Sequence, residues 1–427
     1  MRLPRAHVPV VPPTVDEVAF RDLYRKSEYS VETPDGWTLV VTRYEPAPQP
    51  FQQPLLGEPV LLVHGFSQNR HTWTSGEFVK NLLYFGLDIH IVELRGHGKS
   101  NQQLQRKRSE LTGRPLPPDL DYGWDLDDYL LHDLPATVAA VKGRTGRRRV
   151  FFVGHSMGGM LGYGYAGLHD DLEGLVTIGA PADLGRGFLL LRLLALTTPL
   201  TGAVIDAGVV AINVQRRLLA LGRLLRSRAA AFARLPAGDE LEPVVDALVR
   251  FNYVPVDDWL KWLERLIARA EVHPVYDALA RRVNWLSNPS RVSGADIRWL
   301  LREGGEREPR KVLEQFARWI RRGELTCYRT GYDYKQGFAN ISIPMAIIFG
   351  DMDPLASVES TRSVYRAARS EYLLWRPVKG NSHIELTMGH DIRQICYDVK
   401  NLVEYARTHR TRGPSLPRLQ PWGQAGP

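Results

Sequence analysis

Residues 154–158 read Gly-His-Ser-Met-Gly, directly behind the apolar run "RVFFV". A Gly-x-Ser-x-Gly run after a strand is the pattern of a turn so sharp that bulky neighbours would clash. Such a turn lifts the serine hydroxyl above the edge of a sheet. A serine hydroxyl is a weak nucleophile unless a base takes its proton and a third group orients that base. If Ser156 is that nucleophile, the chemistry is acyl transfer. The chain must then offer an oxyanion hole upstream, and an acid and a histidine downstream in the order Ser, Asp, His.

Each of these features has a candidate. The stretch "LLVHGF" ends an early apolar run, and the Phe66 amide after His64-Gly65 is placed to donate to an oxyanion. The amide of Met157, immediately after the serine, is its partner. Downstream, "IIFGDMDPLAS" offers two carboxylates after a strand pattern, Asp351 and Asp353, the second followed by Pro354 and suited to a tight turn. "KGNSHIEL" then places His383 in a loop thirty residues beyond Asp353, a gap that holds one helix and one strand. His390 competes, but it falls in or near the last helical pattern. His64 and His155 are expected to shape the oxyanion turn and the elbow, and His97 in "RGHGKS" to close a structural turn. A lone aspartate after a strand is more often a helix cap, and a lone loop histidine more often an exposed one. Four features in the required order, each at a strand end, favour the catalytic reading.

These residues need a scaffold, and the patterning predicts one. "EYSVETPDGWTLVVTRY" holds a Pro-Asp-Gly turn between two β-prone runs, a hairpin signal. "PVLLVHG", "LDIHIVEL", "RVFFVGH", "LEGLVTIGAP", "IPMAIIFGD" and "EYLLWRP" read as strands. Between or after them "FVKNLLYFG", "DLDDYLLHDLPATVAAVKGRTG", "SMGGMLGYGYAG", "SVESTRSVYRAA" and "DIRQICYDVKNLVEYART" read as helices. Lys142-Gly143 is read as the end of the second of these, as dipole and C-cap preferences expect. The polar segment 101–124 is read as a loop. Continuous apolar strands alternating with helices argue an α/β fold, a mostly parallel sheet covered on both faces.

The expected organisation is an N-terminal arm over 1–27, a discontinuous core of 28–181 and 341–410, a helical cap or lid over 182–340, and a disordered tail over 411–427. The chain has 427 residues, 44% hydrophobic and 24% charged, the balance of an ordinary globular protein. Two cysteines exclude a disulfide framework and show no metal-like spacing. Prolines at 4, 9, 12 and 13 interrupt the N-terminus, so no signal peptide is read there. The apolar stretch 188–213 contains Arg192, Pro199 and Asp206, which argues against a membrane span. A cytoplasmic protein is expected, or one peripheral to a membrane.

The net charge is +8, and 25 Lys and Arg against 17 Asp and Glu between Arg186 and Lys335 supply the whole of it. No zinc-finger, ribonucleoprotein or helix-turn-helix signature accompanies the charge, so nucleic acid is not an expected partner. No phosphate loop or dinucleotide fingerprint appears, and no cofactor or metal is expected. Within the cap, Val214, Leu218, Leu221, Leu225 and Phe232 lie on one helical face with arginines mostly off it. That helix either packs its leucines on the core or meets a lipid interface through its basic side.

The residues carrying this pattern resemble the α/β-hydrolase superfamily. "VETPDGWTLVVTRY", "PVLLVHGFSQNRHTW", "HDLPATVAAVKGRTGRRRVFFVGHSMGG" and "SHIELTMGHDIRQICYDVKNLV" are similar to corresponding stretches of its acid-lipase branch. The resemblance covers the core on both sides of the cap. It implies an α/β-hydrolase fold and hydrolysis of carboxylic esters of lipids or sterols. It further implies Ser156 as nucleophile, Asp353 as acid and His383 as base, with the Phe66 and Met157 amides at the oxyanion. Met157 with Gly158-Gly159 follows the general esterase pattern, where acid lipases usually carry Gln and a Gly-Thr pair. Polyhydroxyalkanoate synthases are similar around the last histidine, but they use a cysteine where Ser156 stands. An acyltransferase or polyester-processing enzyme would share the acyl-enzyme, and a catalytically silent binding protein would share the fold.

Overall fold

The computed structural model describes residues 13–52, 55–184, 186, 253–254, 256–258, 260–261, 264 and 287–409. The apolar stretch 188–213 and the amphipathic pattern 214–232 lie outside the described residues, as do the first twelve residues and the tail from 411.

Eight strands form the main sheet: β1 (Tyr24–Glu32), β2 (Thr38–Pro46), β3 (Pro59–Val63), β4 (Asp88–Glu93), β5 (Val150–His155), β6 (Leu172–Ile178), β9 (Met345–Gly350) and β10 (Leu373–Val378). A two-stranded ribbon of β7 (Tyr253–Val254) and β8 (Glu308–Pro309) stands apart from it. The order across the sheet is β1-β2-β4-β3-β5-β6-β9-β10. The β1–β2 and β2–β4 pairs are antiparallel and every other pair is parallel. The β1–β2 turn is the Pro-Asp-Gly site, closed by the Thr33 N–H on Trp37 O at 2.8 Å, with Gly36 at φ 97°.

The central strands are apolar on both faces because both faces are covered. Leu61, Val63, Phe152 and Ile347 point into one core, with helices α3 (Leu134–Thr145) and α4 (Met157–Leu168). Val60, Leu62, Phe151, Val153 and Ile348 point into the other, with α1 (Phe78–Tyr84) and α8 (Ile392–Thr408). Each such side chain contributes about 1.5–3 kcal/mol on burial, so the alternation commits the strands to the middle of three layers.

Two elements depart from the sequence reading. Segment 101–124, read as a loop, contains helix α2 (Gln102–Thr112). It is capped by Asn101, which accepts from the Leu104 N–H at 3.0 Å, and ends at Gly113 in the left-handed conformation. Only Gln105 of this helix is buried, so it carries no apolar stripe. The Gln105 amide instead pairs with the Thr38 backbone, accepting from N–H at 2.9 Å and donating to C=O at 2.8 Å. Helix α3 also runs past Gly143 and stops at Gly146, φ 67°, behind a widened turn over Tyr129–Asp133.

Between β6 and β9 the described chain adds α5 (Gly294–Glu303), α6 (Arg310–Arg322) and a 3-10 turn, Tyr334–Asn340. Helix α7 (Val358–Ala367) then connects β9 to β10. Helix α6 buries Val312, Ala317, Trp319 and Ile320 and ends on Arg321 and Arg322 before Gly323. Among the described residues, no helix is long and apolar enough to cross a membrane.

Candidate active site

Four turns meet at the carboxyl ends of the parallel strands, where open α/β sheets place their ligands. The turn after β5 carries Ser156 at φ 50° and ψ −118°, a strained conformation for a residue with a side chain. It is held by the Ser156 N–H on Ile178 O at 2.8 Å. A Cβ at position 154 would lie 2.4 Å from Gly158 O, and one at 158 would lie 2.4 Å from Val63 O. Both glycines are therefore required by close approach of backbone to backbone. From this elbow α4 starts, with Ser156 O accepting from the Gly159 and Met160 N–H groups at 3.0 Å each.

The structure brings three of the named side chains into one hydrogen-bonded chain. Ser156 Oγ is 3.0 Å from His383 Nε2, and His383 Nδ1 is 2.8 Å from Asp353 Oδ2. Because a carboxylate only accepts, Nδ1 carries the proton and Nε2 is free to accept from the serine. Burial opposes a charged His383, but the Asp353 carboxylate outweighs it and raises the His383 pKa. Asp353 is itself anchored, its Oδ1 accepting from the Leu355 and Ala356 N–H groups at 2.8 and 3.1 Å.

The competing residues lie elsewhere. Asp351 is exposed and accepts from the Gly380 N–H at 2.7 Å. His390 is also exposed, its backbone N–H bonded to Arg291 O at 2.9 Å.

The turn after β3 lies against the elbow: a Cβ on Gly65 would be 3.0 Å from Ser156 Cβ. Two buried histidines frame it. His64 Nε2 accepts from the Leu94 N–H at 3.2 Å, which leaves its Nδ1–H to donate to Gly65 O at 2.9 Å. His155 lies 3.0 Å from Gln68 Oε1 and 3.3 Å from His383 O, and burial followed by the neighbouring His383 lowers its pKa to about 3. His97 lies in the turn Leu94–Ser100, its N–H donating to Leu94 O at 3.0 Å and its C=O accepting from the Ser100 N–H at 2.8 Å. Among the described residues, neither the Phe66 nor the Met157 N–H has an acceptor. The Phe66 ring stands edge-on to Phe316 of α6 at 5.7 Å.

Several residues in this framework were missed in the sequence. Glu385 accepts from the Ser382 and Asn288 N–H groups at 2.5 and 2.9 Å and so fixes the loop on which His383 rides. Gln68 accepts from the Gly65 N–H at 2.9 Å. Glu306 and Glu308 reach the β3 turn from the segment between α5 and α6. Gln68 and Glu385 lie near motifs, in "PVLLVHGFSQNRHTW" and "KGNSHIEL", whereas Glu306 and Glu308 have no local signal.

A mostly parallel eight-stranded sheet with helices on both faces and these side chains at its carboxyl edge defines the α/β-hydrolase fold. The family model described as "Alpha/beta hydrolase family" matches residues 60–377, and the chain belongs to that family. Its curated relatives include lipase member M of Mus musculus, 29% identical over 35% of this chain and 34% of that protein. Human lysosomal acid lipase/cholesteryl ester hydrolase is 26% identical over 33% of this chain and 34% of its own length. The chain thus spans about a third of the length of these relatives. Among solved structures, a membrane phospholipase A shares 15% identity at a TM-score of 0.48, covering 90% of this chain and 87% of that one. An esterase from Pyrococcus furiosus shares 14% at 0.44, covering 92% and 98%.

Proposed function

We propose that the chain is a serine hydrolase cleaving carboxylic esters with apolar acyl chains. The observation that carries this reading is the hydrogen-bonded run from Ser156 Oγ through the His383 ring to Asp353, at 3.0 and 2.8 Å. Ser156 attacks the ester carbonyl while His383 Nε2 takes its proton, and Asp353 stabilises the resulting imidazolium. The oxyanion accepts from the Phe66 and Met157 amides, in keeping with the lack of any other acceptor for them among the described residues. The alcohol leaves with the proton from His383, and water activated by the same ring cleaves the acyl-enzyme.

The apolar preference rests on the Phe66 ring, one residue past the Gly65 that lies against Ser156 and packed edge-on to Phe316, and on the lipase names of the curated relatives. In this reading 28–181 and 341–410 form the catalytic core.

Ser156→Ala is expected to abolish turnover of p-nitrophenyl butyrate and labelling by a fluorophosphonate probe, with an unchanged thermal melt. Retained turnover would refute the assignment. A C2 to C16 series of p-nitrophenyl esters then reads chain preference, and a flat or falling response beyond C4 would remove the apolar element of the reading.

A further inference from the structure

The turn after β3 does not hold itself in place. Ser67 sits at φ 54°, a conformation that costs a side-chain-bearing residue about 1–3 kcal/mol unless its surroundings impose it. All three of its polar groups are bound by a segment some 240 residues later. The Ser67 N–H donates to Glu308 Oε1 at 2.6 Å, Ser67 O accepts from the Glu306 N–H at 3.0 Å, and the Ser67 hydroxyl donates to Glu306 O. Two residues on, Asn69 Nδ2 donates to Glu306 Oε1 at 2.7 Å and to Glu303 O at 2.9 Å.

Glu308 is fully buried and in turn held. Its Oε1 lies 3.0 Å from His97 Nε2, and its Oε2 accepts from the Tyr129 hydroxyl at 3.3 Å. His97 Nδ1 faces Arg95 O at 2.9 Å. Both ring nitrogens therefore face acceptors, which only the doubly protonated imidazolium satisfies. The pair is a buried cation and anion aimed at one backbone amide next to Phe66.

We propose that Glu308 is a positioning residue for the oxyanion hole: through Ser67 it holds the Phe66 N–H toward the carbonyl that Ser156 attacks. This rests on the ester-hydrolase reading above. In substrate-free protein the amide needs only to be pre-aimed, because the full benefit of such a donor is realised as charge develops on the oxygen. Losing an oxyanion donor outright costs about 10²–10³ in kcat, so loosening one is expected to cost less. Because the two glutamates lie on the segment leading into α6, whatever displaces that helix also displaces the amide.

The test compares wild type, Ser156→Ala, Glu308→Ala and Glu308→Gln in the full chain, with p-nitrophenyl butyrate as probe and thermal melts alongside. Glu308→Ala is expected to lower kcat about tenfold or more with KM within twofold. Glu308→Gln, which keeps an oxygen for the Ser67 N–H, is expected to regain most of that loss and stays informative if the alanine variant does not fold. Hydrogen exchange of the peptide covering 64–70 should accelerate in the alanine variant and not in the glutamine one.

If Glu308→Ala raises KM alone, or if the glutamine variant is folded yet loses as much kcat as the alanine variant, the positioning role is overturned and the hydrolase reading stands. If Ser156→Ala turns over as wild type does, the hydrolase reading itself falls and takes the positioning role with it.

Discussion

Two turns meet at Ser156 and are built in opposite ways. The elbow after β5 is made by five consecutive residues, and its demands are steric: hydrogens at 154 and 158 because backbone carbonyls lie 2.4 Å from where a Cβ would go. The turn after β3 is built from hydrogen bonds and charge, supplied by Glu306 and Glu308 some 240 residues away and by His97 on a third loop. The first therefore resists pH and salt but tolerates almost no substitution. The second tolerates more side chains but depends on a proton on His97 and on where a distant segment lies. Each presents one of the two amides we assign to the oxyanion.

The largest expected effect lies outside both turns and checks that they serve one nucleophile. Asp353→Asn leaves a group of the same size beside His383 but removes the charge that, in the proposed reading, stabilises its imidazolium, and in a Ser-His-Asp triad such a change costs about 10⁴ in kcat. Asp351→Asn, on the exposed neighbour, should leave kcat within about twofold. The pH profile adds a sign. The Asp353 carboxylate raises the His383 pKa against burial, so kcat/KM should fall as pH drops through a value raised from that of an ordinary histidine. The acid limb of the asparagine variant should lie lower. An unmoved limb, or equal losses in the two variants, would mean that Asp353 is not the group His383 depends on.

The contrast between the turns also accounts for what could be read in advance. Gly154, Gly158 and the apolar run before them sit within one short window, so a steric requirement left a legible motif. The same holds for the strands. Val60 to Val63 point alternately into two cores and are apolar throughout, which marks a sheet covered on both faces. Asp353 was legible because it follows such a strand, and His383 because it follows the edge strand β10 one helix and one strand later. Glu308, by contrast, sits in "EREPR", where nothing distinguishes a fully buried ion-pair partner from a solvated charge. Its role arises only when the fold closes across the chain. Helix α2 was missed for a related reason: its one buried side chain, Gln105, binds through its amide and leaves no apolar period.

A second prediction separates the turns by pH. Burial disfavours a charged His97, but Glu308 overcomes it and raises its pKa to about 9, with Glu306 adding in the same sense. The other groups facing the ring are Arg95 through its carbonyl, His64 with ring centroids 4.9 Å away and Tyr129 at 5.9 Å. A raised pKa means that the folded state holds the proton more tightly than the unfolded one. The stabilisation is then fully present below about pH 6.5 and is lost as pH rises through about 9. It amounts to about 3 kcal/mol for a fully buried group. Urea midpoints of wild type should fall over that window, and those of His97→Gln should not. Parallel curves for the two proteins would contradict the imidazolium assignment and with it the electrostatic character of the β3 turn.

The smallest of the three acts on the elbow. Gly158→Ala puts a methyl group 2.4 Å from Val63 O and 2.5 Å from His64 O, both backbone atoms that no rotamer change can move. Overpacking of this kind costs about 1–3 kcal/mol, here by forcing β3 and the start of α4 apart. Because no titrating group takes part, the loss in urea midpoint should be the same at pH 6 and pH 9.5, whereas the His97→Gln loss should shrink at the higher value. Kinetics should respond as well. The Met157 amide rides on the displaced helix turn, so kcat should fall while KM stays close to its wild-type value. A destabilisation by Gly158→Ala that varied with pH as His97→Gln does would mean that the two turns are one coupled unit, and the steric and electrostatic accounts would have to be merged.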